Sequence, residues 1–308
     1  MSRPWYQDRV AAASIAPASF GALVDRACPV CGGARGRALL AGQYYALASL
    51  DLMDVVECHA CRFVFTDPIP TSGWFDSYLD RRTNPWWGDD GGWMTLHWQQ
   101  EHEREKFEDG LDLVRRHARP GKLLDVGCGP GLFVTMAREA GMEAMGVDVF
   151  AGVVPDGDEH LKCLSVAALP AASVDVLTLW CVVAHEPDVL GLLRECRRVL
   201  RPGGLLLVET PNMTLWRWLQ PLRRLRAAVS PRHRSHDELG AYAHINHFTA
   251  GTLASVLTAS GFRDVRFHLI RNYEGARGWL DRGKRLLFRA TGSRVNVCYP
   301  LVATATAP

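Results

Sequence analysis

The stretch from Leu123 to Val134 constrains this chain more than any other, because it reads as a buried strand, a glycine turn and a helix start in direct succession. Leu123-Leu124-Asp125-Val126 is an apolar run with one acid set inside its end, and residues 143–149 form a second such run that closes on Asp148. Between them, Gly127-Cys128-Gly129-Pro130-Gly131 puts glycine at alternate positions, so a ligand can lie against backbone where a side chain would block it. The helix that follows offers free N–H groups to the same ligand. Asp148 falls at the distance where an acid takes both hydroxyls of a ribose in doubly wound sheets. The spacing, interrupted by Pro130, is not the one that seats a dinucleotide pyrophosphate. An α/β fold with a nucleoside-type ligand at the carboxyl ends of its strands is the expectation.

These residues carry a resemblance. Leu124-Asp125-Val126-Gly127-Cys128-Gly129-Pro130-Gly131 resembles the glycine motif of class I S-adenosylmethionine-dependent methyltransferases. The likeness continues in order through Val174-Asp175-Val176-Leu177-Thr178-Leu179-Trp180, His185-Glu186-Pro187-Asp188, and a run from Leu193 to Arg201-Pro202-Gly203-Gly204. It closes on Thr210-Pro211-Asn212 and spans roughly residues 111–261. It implies a Rossmann-like seven-stranded methyltransferase sheet with S-adenosylmethionine across the ends of the first strands. The cofactor-binding set it implies is Asp125, Gly127, Cys128, Gly129, Gly131, Asp148 and Trp180, with Ser165 where the family often turns an aspartate toward adenine.

The amino-terminal part has a different character. Four of the nine cysteines stand in two C-x-x-C pairs, Cys28/Cys31 and Cys58/Cys61, and the rest are scattered. Two thiolate pairs of matched spacing make a closed tetrahedral site, the signature of a structural Zn2+ ribbon. Strand-like runs at residues 38–40 and 53–57 would carry the two turns. Residues 10–24 are uncharged but interrupted by Pro17, and no apolar run approaches the length of a membrane span, so a cytoplasmic protein without an integral membrane segment is expected. In that compartment thiols stay reduced and paired cysteines bind metal. Cys163, Cys196 and Cys298 are expected in the core and Cys181 in a pocket wall.

The acceptor side rests on histidines. His185 follows the strand ending at Trp180, where related enzymes close a loop over the sulfonium and commonly have a carboxylate at the positions of Cys181 and Ala184. A neutral imidazole there is a suitable base for a hydroxyl. Residues 241–249 hold His244, Asn246 and His247, and resemble the segment that acts on the sugar in zinc-containing C-methyltransferases of deoxysugar biosynthesis, Asn246 standing in place of a glutamate. His185 and His247 are therefore the candidate catalytic bases, and His244 and Asn246 candidate acceptor contacts. Residues 212–239, long for a connection, mix a Leu/Trp face with Arg217, Arg223, Arg224, Arg226, Arg232 and Arg234. A solvated cover, an anion clamp for a phosphate-bearing acceptor and a basic foot on a membrane are three readings of it. Trp74, Trp86, Trp87, Trp93 and Trp98 are expected to cement the ribbon to the core, with Trp86 and Trp87 the candidates to face the acceptor.

The 308 residues thus divide into a zinc-binding module (1–70), a Trp-rich connector and lead-in helix (71–120) and a methyltransferase domain (121–308) carrying a substrate-covering insertion at 212–247. With 35 Lys+Arg against 33 Asp+Glu, bulk charge announces no nucleic-acid partner. O-methylation of a small molecule, such as natural-product biosynthesis employs, is the first reading; C-methylation of a sugar-like or polyketide acceptor and a non-catalytic zinc-ribbon binder are the alternatives.

Overall fold

The computed structural model describes residues 23–40, 54–70, 100, 103–118, 121–150, 153–155, 157–229, 244–271 and 279–308. Trp86 and Trp87, with the other connector tryptophans, lie outside them, as do Arg232 and Arg234.

Apolar runs of both kinds expected from the sequence build the main sheet. Its strands are β6 (Lys122–Val126), β7 (Glu143–Asp148), β8 (Leu161–Cys163), β9 (Val174–Trp180), β10 (Leu200–Thr210), β12 (Arg263–His268) and β13 (Leu301–Thr306), in the order β12-β13-β10-β9-β6-β7-β8. The pairs from β8 through β10 are parallel, and β13 joins β10 and β12 antiparallel at the other edge. The chain runs outward from β6 through β7 to β8, then returns to β9 on the opposite side of β6. The reversal opens a crevice at the carboxyl ends of β6 and β9, the place where doubly wound sheets bind ligands.

Helices cover this sheet: α1 (Arg104–His117), α2 (Leu132–Glu139), α3 (Val189–Val199), α5 (Ala250–Ala259) and α6 (Trp279–Ala290), with α4 (Thr214–Val229) following β10. Asp188 caps α3 by accepting from Gly191 N at 2.9 Å, and Thr249 caps α5 by accepting from Thr252 N at 3.2 Å. The start of β13 is set by the residues before it. Asn212 Nδ2 holds the carbonyls of Asn296 (3.1 Å) and Cys298 (2.7 Å), and Pro300 has no N–H for a ladder, so pairing begins at Leu301. Cys196 and Cys298 are buried as expected, whereas Cys163 is exposed, because it ends the short edge strand β8.

The amino-terminal strands are β1 (Leu23–Val24), β2 (Arg37–Leu40), β3 (Asp54–Glu57), β4 (Val64–Asp67) and β5 (Ile69–Pro70). Three of them form an antiparallel sheet whose fourth strand comes from far along the chain: β11 (Asn246–His247) pairs with β4, Asn246 opposite Phe65 and His247 opposite Val64. The core follows the same seam. Phe63 packs edge-on against Phe248, ring centroids 5.3 Å apart, and Cys28, Val56 and Phe65 share one buried cluster with Leu177, Val208 and Leu253. Among the described residues no helix is long and apolar enough to cross a membrane.

Candidate active site

One side of the crevice is built by β6, β7 and the turn between β6 and α2. Gly127, Gly129 and Gly131 all have φ in the left-handed region, 72°, 54° and 90°. At Gly127 a Cβ would also stand 2.4 Å from Val182 Cγ2, so the position requires glycine on two counts. Asp148, 7% exposed, accepts from Gly129 N and Phe150 N, both at 3.0 Å, which ties the end of β7 to the glycine turn. Asp125, 2% exposed, accepts from Thr178 Oγ1 at 2.6 Å. Burial pushes its carboxyl up to about 8, against that hydrogen bond, and burial likewise raises Asp148. Two buried acids at one crevice fit a ligand that brings an amine and hydroxyl donors, as S-adenosylmethionine does. Cys128 is buried, packed against Gly146. Ser165 is exposed and accepts from Ala167 N at 3.3 Å, capping a turn of 3₁₀ helix (Val166–Ala168).

Trp180 forms the floor. Its ring meets Phe107 and Phe133 at centroid distances of 5.0 Å each, and α1 comes this close because Gly110 has no Cβ, which would lie 2.4 Å from Trp180 Cη2. Against its ring lies a buried charge group that the sequence did not reveal. Lys106 Nζ reaches Glu103 Oε1 at 2.7 Å and Glu209 Oε2 at 3.7 Å, and stands 5.7 Å over the Trp180 ring. Glu209 had a legible signal, being an acid at the end of the apolar run 205–208, as Asp125 and Asp148 are in theirs. Lys106 had none, since its segment is charged throughout.

On the other side, β9 ends at Trp180 and Cys181 follows in a left-handed conformation, φ 60°, held by its N–H on Glu209 O at 3.0 Å. His185 closes the next turn through its N–H on Val182 O at 2.9 Å. His244 arrives from 63 residues away because Ile245 N and Asn246 N both donate to Ala184 O, at 2.8 and 3.0 Å. The Cys181 thiol lies 3.3 Å from His244 Nε2 and 3.8 Å from His185 Nε2, and all three residues are half-buried. Burial and the Glu209 carboxylate push this thiol well above its ordinary range.

Two expected site residues are reassigned by their surroundings. His247 is buried, its Nε2 facing Thr66 Oγ1 at 3.5 Å, and burial, then Arg26, lower it to about 3. It lies in the seam between the two sheets, where β11 pairs with β4. Asn246 donates from Nδ2 to Val183 O (2.9 Å) and Glu186 O (2.6 Å) and accepts from Arg26 Nη2 (3.0 Å), so its amide is engaged in joining segments. Arg217 is engaged too, with Nη2 3.0 Å from Glu57 Oε1.

The four amino-terminal cysteines come together as their spacing suggested. One sulfur from each lies within 4.8 Å of the others, with Cys28–Cys61 and Cys31–Cys58 both at 3.5 Å. Tetrahedral zinc with ~2.3 Å bonds puts sulfurs about 3.8 Å apart, so the group fits that ion. The two turns match: Cys28 N donates to Gly33 O and Cys58 N to Phe63 O, at 2.9 and 2.8 Å.

A reversed doubly wound sheet with glycine turn and paired acids at its crevice defines a nucleoside-cofactor domain. Residues 98–266, more than half the chain, match the family model for a methyltransferase domain, and the chain belongs to that family, a class I S-adenosylmethionine-dependent methyltransferase domain. Among curated proteins it is similar to the ubiquinone biosynthesis O-methyltransferase of Methylococcus capsulatus, 27% identical over 146 residues, covering 44% of this chain and 60% of that protein. The protein of the same name from Xanthomonas oryzae pv. oryzae is 31% identical over 161 residues, covering 47% and 65%. The matched region thus spans under two thirds of these relatives' length. Among solved structures, the 1,6-didemethyltoxoflavin-N1-methyltransferase of Burkholderia thailandensis is 17% identical with a TM-score of 0.47, over 85% of this chain and 97% of that one.

Proposed function

We propose that this chain methylates a hydroxyl of a small-molecule acceptor, using S-adenosylmethionine, and that its four amino-terminal cysteines hold a structural Zn2+. The observation that carries the reading is the crevice itself: Asp125 and Asp148 on one side of the strand reversal, Cys181, His185 and His244 on the other. When bound, S-adenosylmethionine supplies a methyl carbon made electrophilic by its sulfonium. Asp148 would take the ribose hydroxyls, Asp125 the amino group, and the glycine turn would let the nucleoside approach the backbone. The chain then has to align the hydroxyl and draw off its proton, and His185, on the loop at the end of β9, is the residue assigned to that task. The O-methyltransferase names of the curated relatives favour oxygen as the acceptor atom. C-methylation rests on the pairing of a zinc ribbon with a methyltransferase domain, and Asn246, an amide that cannot act as a base and that is engaged with Val183 O and Glu186 O, stands against it.

Calorimetry with S-adenosylhomocysteine, followed by methyl-transfer assays on phenolic and alcoholic acceptors, tests the reading. Binding that is lost at least tenfold in Asp148→Ala is expected. Unchanged affinity in that variant overturns the cofactor assignment, and binding without turnover of any hydroxyl acceptor supports the non-catalytic alternative.

A further inference from the structure

We infer that Cys181, His185 and His244 form a second metal site, apart from the four-cysteine group, that takes one zinc-class divalent cation and leaves a coordination position for an oxygen of the acceptor. The ligand atoms, one from each side chain, lie within 4.8 Å of one another. Zinc bound tetrahedrally by sulfur at ~2.3 Å and nitrogen at ~2.0–2.1 Å sets those atoms about 3.6 Å apart. The thiol-to-imidazole distances of 3.3 and 3.8 Å bracket that value, and the two rings sit 4.7 Å apart. One thiolate with two imidazoles selects zinc-like ions over magnesium or calcium. Among the described residues, three protein ligands with a position left open distinguish this group from the closed four-cysteine set.

The three side chains are also placed independently of any ion. The N–H of Cys181 is held by Glu209 O, that of His185 by Val182 O, and His244 enters through the paired N–H groups of Ile245 and Asn246 on Ala184 O. The group stands at the carboxyl end of β9, facing the crevice from the acceptor side, so an ion there would meet the acceptor oxygen. The role of the ion rests on the methyl-transfer reading and refines it: with Nε2 on the ion His185 is a ligand rather than the base, the ion would lower the pKa of the bound hydroxyl, and the hydroxyl's proton would pass to solvent water; the binding of the ion does not rest on that reading.

Titration of the full chain with Co2+ under reducing conditions tests this. The wild type is expected to take two equivalents, with one four-thiolate and one single-thiolate charge-transfer spectrum. Cys181→Ser, His185→Gln and His244→Ala should each take one equivalent, keeping the four-thiolate absorption that reports a folded ribbon and keeping S-adenosylhomocysteine affinity. A wild type that takes a single equivalent, or a triple variant that still takes two, overturns the proposal. Two equivalents without methylation of any hydroxyl would leave the site standing and remove the O-methylation reading; methylation of a hydroxyl with one equivalent would do the reverse.

Discussion

Arg26 Nη2 donates to Asn246 Oδ1 at 3.0 Å across 220 residues of chain, and Asn246 passes that contact on through Nδ2 to the carbonyls of Val183 and Glu186. Arg26 also donates to Ile245 O at 2.8 Å and Thr66 O at 3.0 Å. The amino-terminal sheet is therefore joined by hydrogen bonds to the loop that carries Cys181 and His185. Burial brings the Arg26 guanidinium down to about 10, with Asp67 opposing.

Arg26→Met removes the side-chain donor to three acceptors at this seam, Thr66 O, Ile245 O and Asn246 Oδ1. Each buried acceptor left unsatisfied costs about 1–3 kcal/mol, so an overall loss of about 3 kcal/mol is expected after partial relaxation. Urea unfolding measures it, and a stability within about 0.5 kcal/mol of wild type, the ordinary range for surface substitutions, would contradict the role.

The pH dependence of stability should carry the mark of His247. Its folded-state value of about 3 lies below the ordinary 6.5, so the unfolded chain takes up the proton first as pH falls. The stabilisation from keeping the ring neutral is complete above pH 6.5 and is lost toward pH 3. The stability gap between wild type and His247→Phe should therefore shift against the wild type by about 1.4 kcal/mol per pH unit at most in that window. A gap constant from pH 7 to 5 would show that the ring titrates normally.

Gly127→Ala should weaken S-adenosylhomocysteine binding at least tenfold, because the new Cβ strains a φ of 72° and meets Val182 Cγ2 at 2.4 Å. Adding Val182→Ala removes the clash but not the strain, and should restore part of the affinity. Equal affinities of single and double variants in calorimetry would exclude the steric contribution.

Removing metal from the four-cysteine group should lower the thermal midpoint of the whole protein. Phe63 and Cys28 share one buried cluster with Phe248 and Leu253, so loss of the ribbon exposes apolar surface of the sheet domain as well. Differential scanning calorimetry with and without a strong chelator measures this; a main transition unmoved by chelation would mean the two parts are uncoupled.

Sequence by itself determined the parts whose signal is local. The glycine turn is legible because Gly127, Gly129 and Gly131 take backbone angles that other residues reach only with strain, and the strands because apolar runs ending in Asp125 and Asp148 have one low-energy place in a buried parallel sheet. The two cysteine turns are legible because four sulfurs at matched spacing have one common use.

Tertiary structure alone decided which distant side chains meet. Asn246 and His247 sit beside a promising histidine, yet β11 pairs with β4 and turns both into the seam, while His244, two residues before, reaches Cys181. Lys106 joins Glu209 through the approach of α1 over Gly110. Spacing along a chain fixes what neighbours within one element can do; where a strand finds its partner depends on the burial of the whole core, and that partner ties Asn246 into the seam and brings His244 beside Cys181.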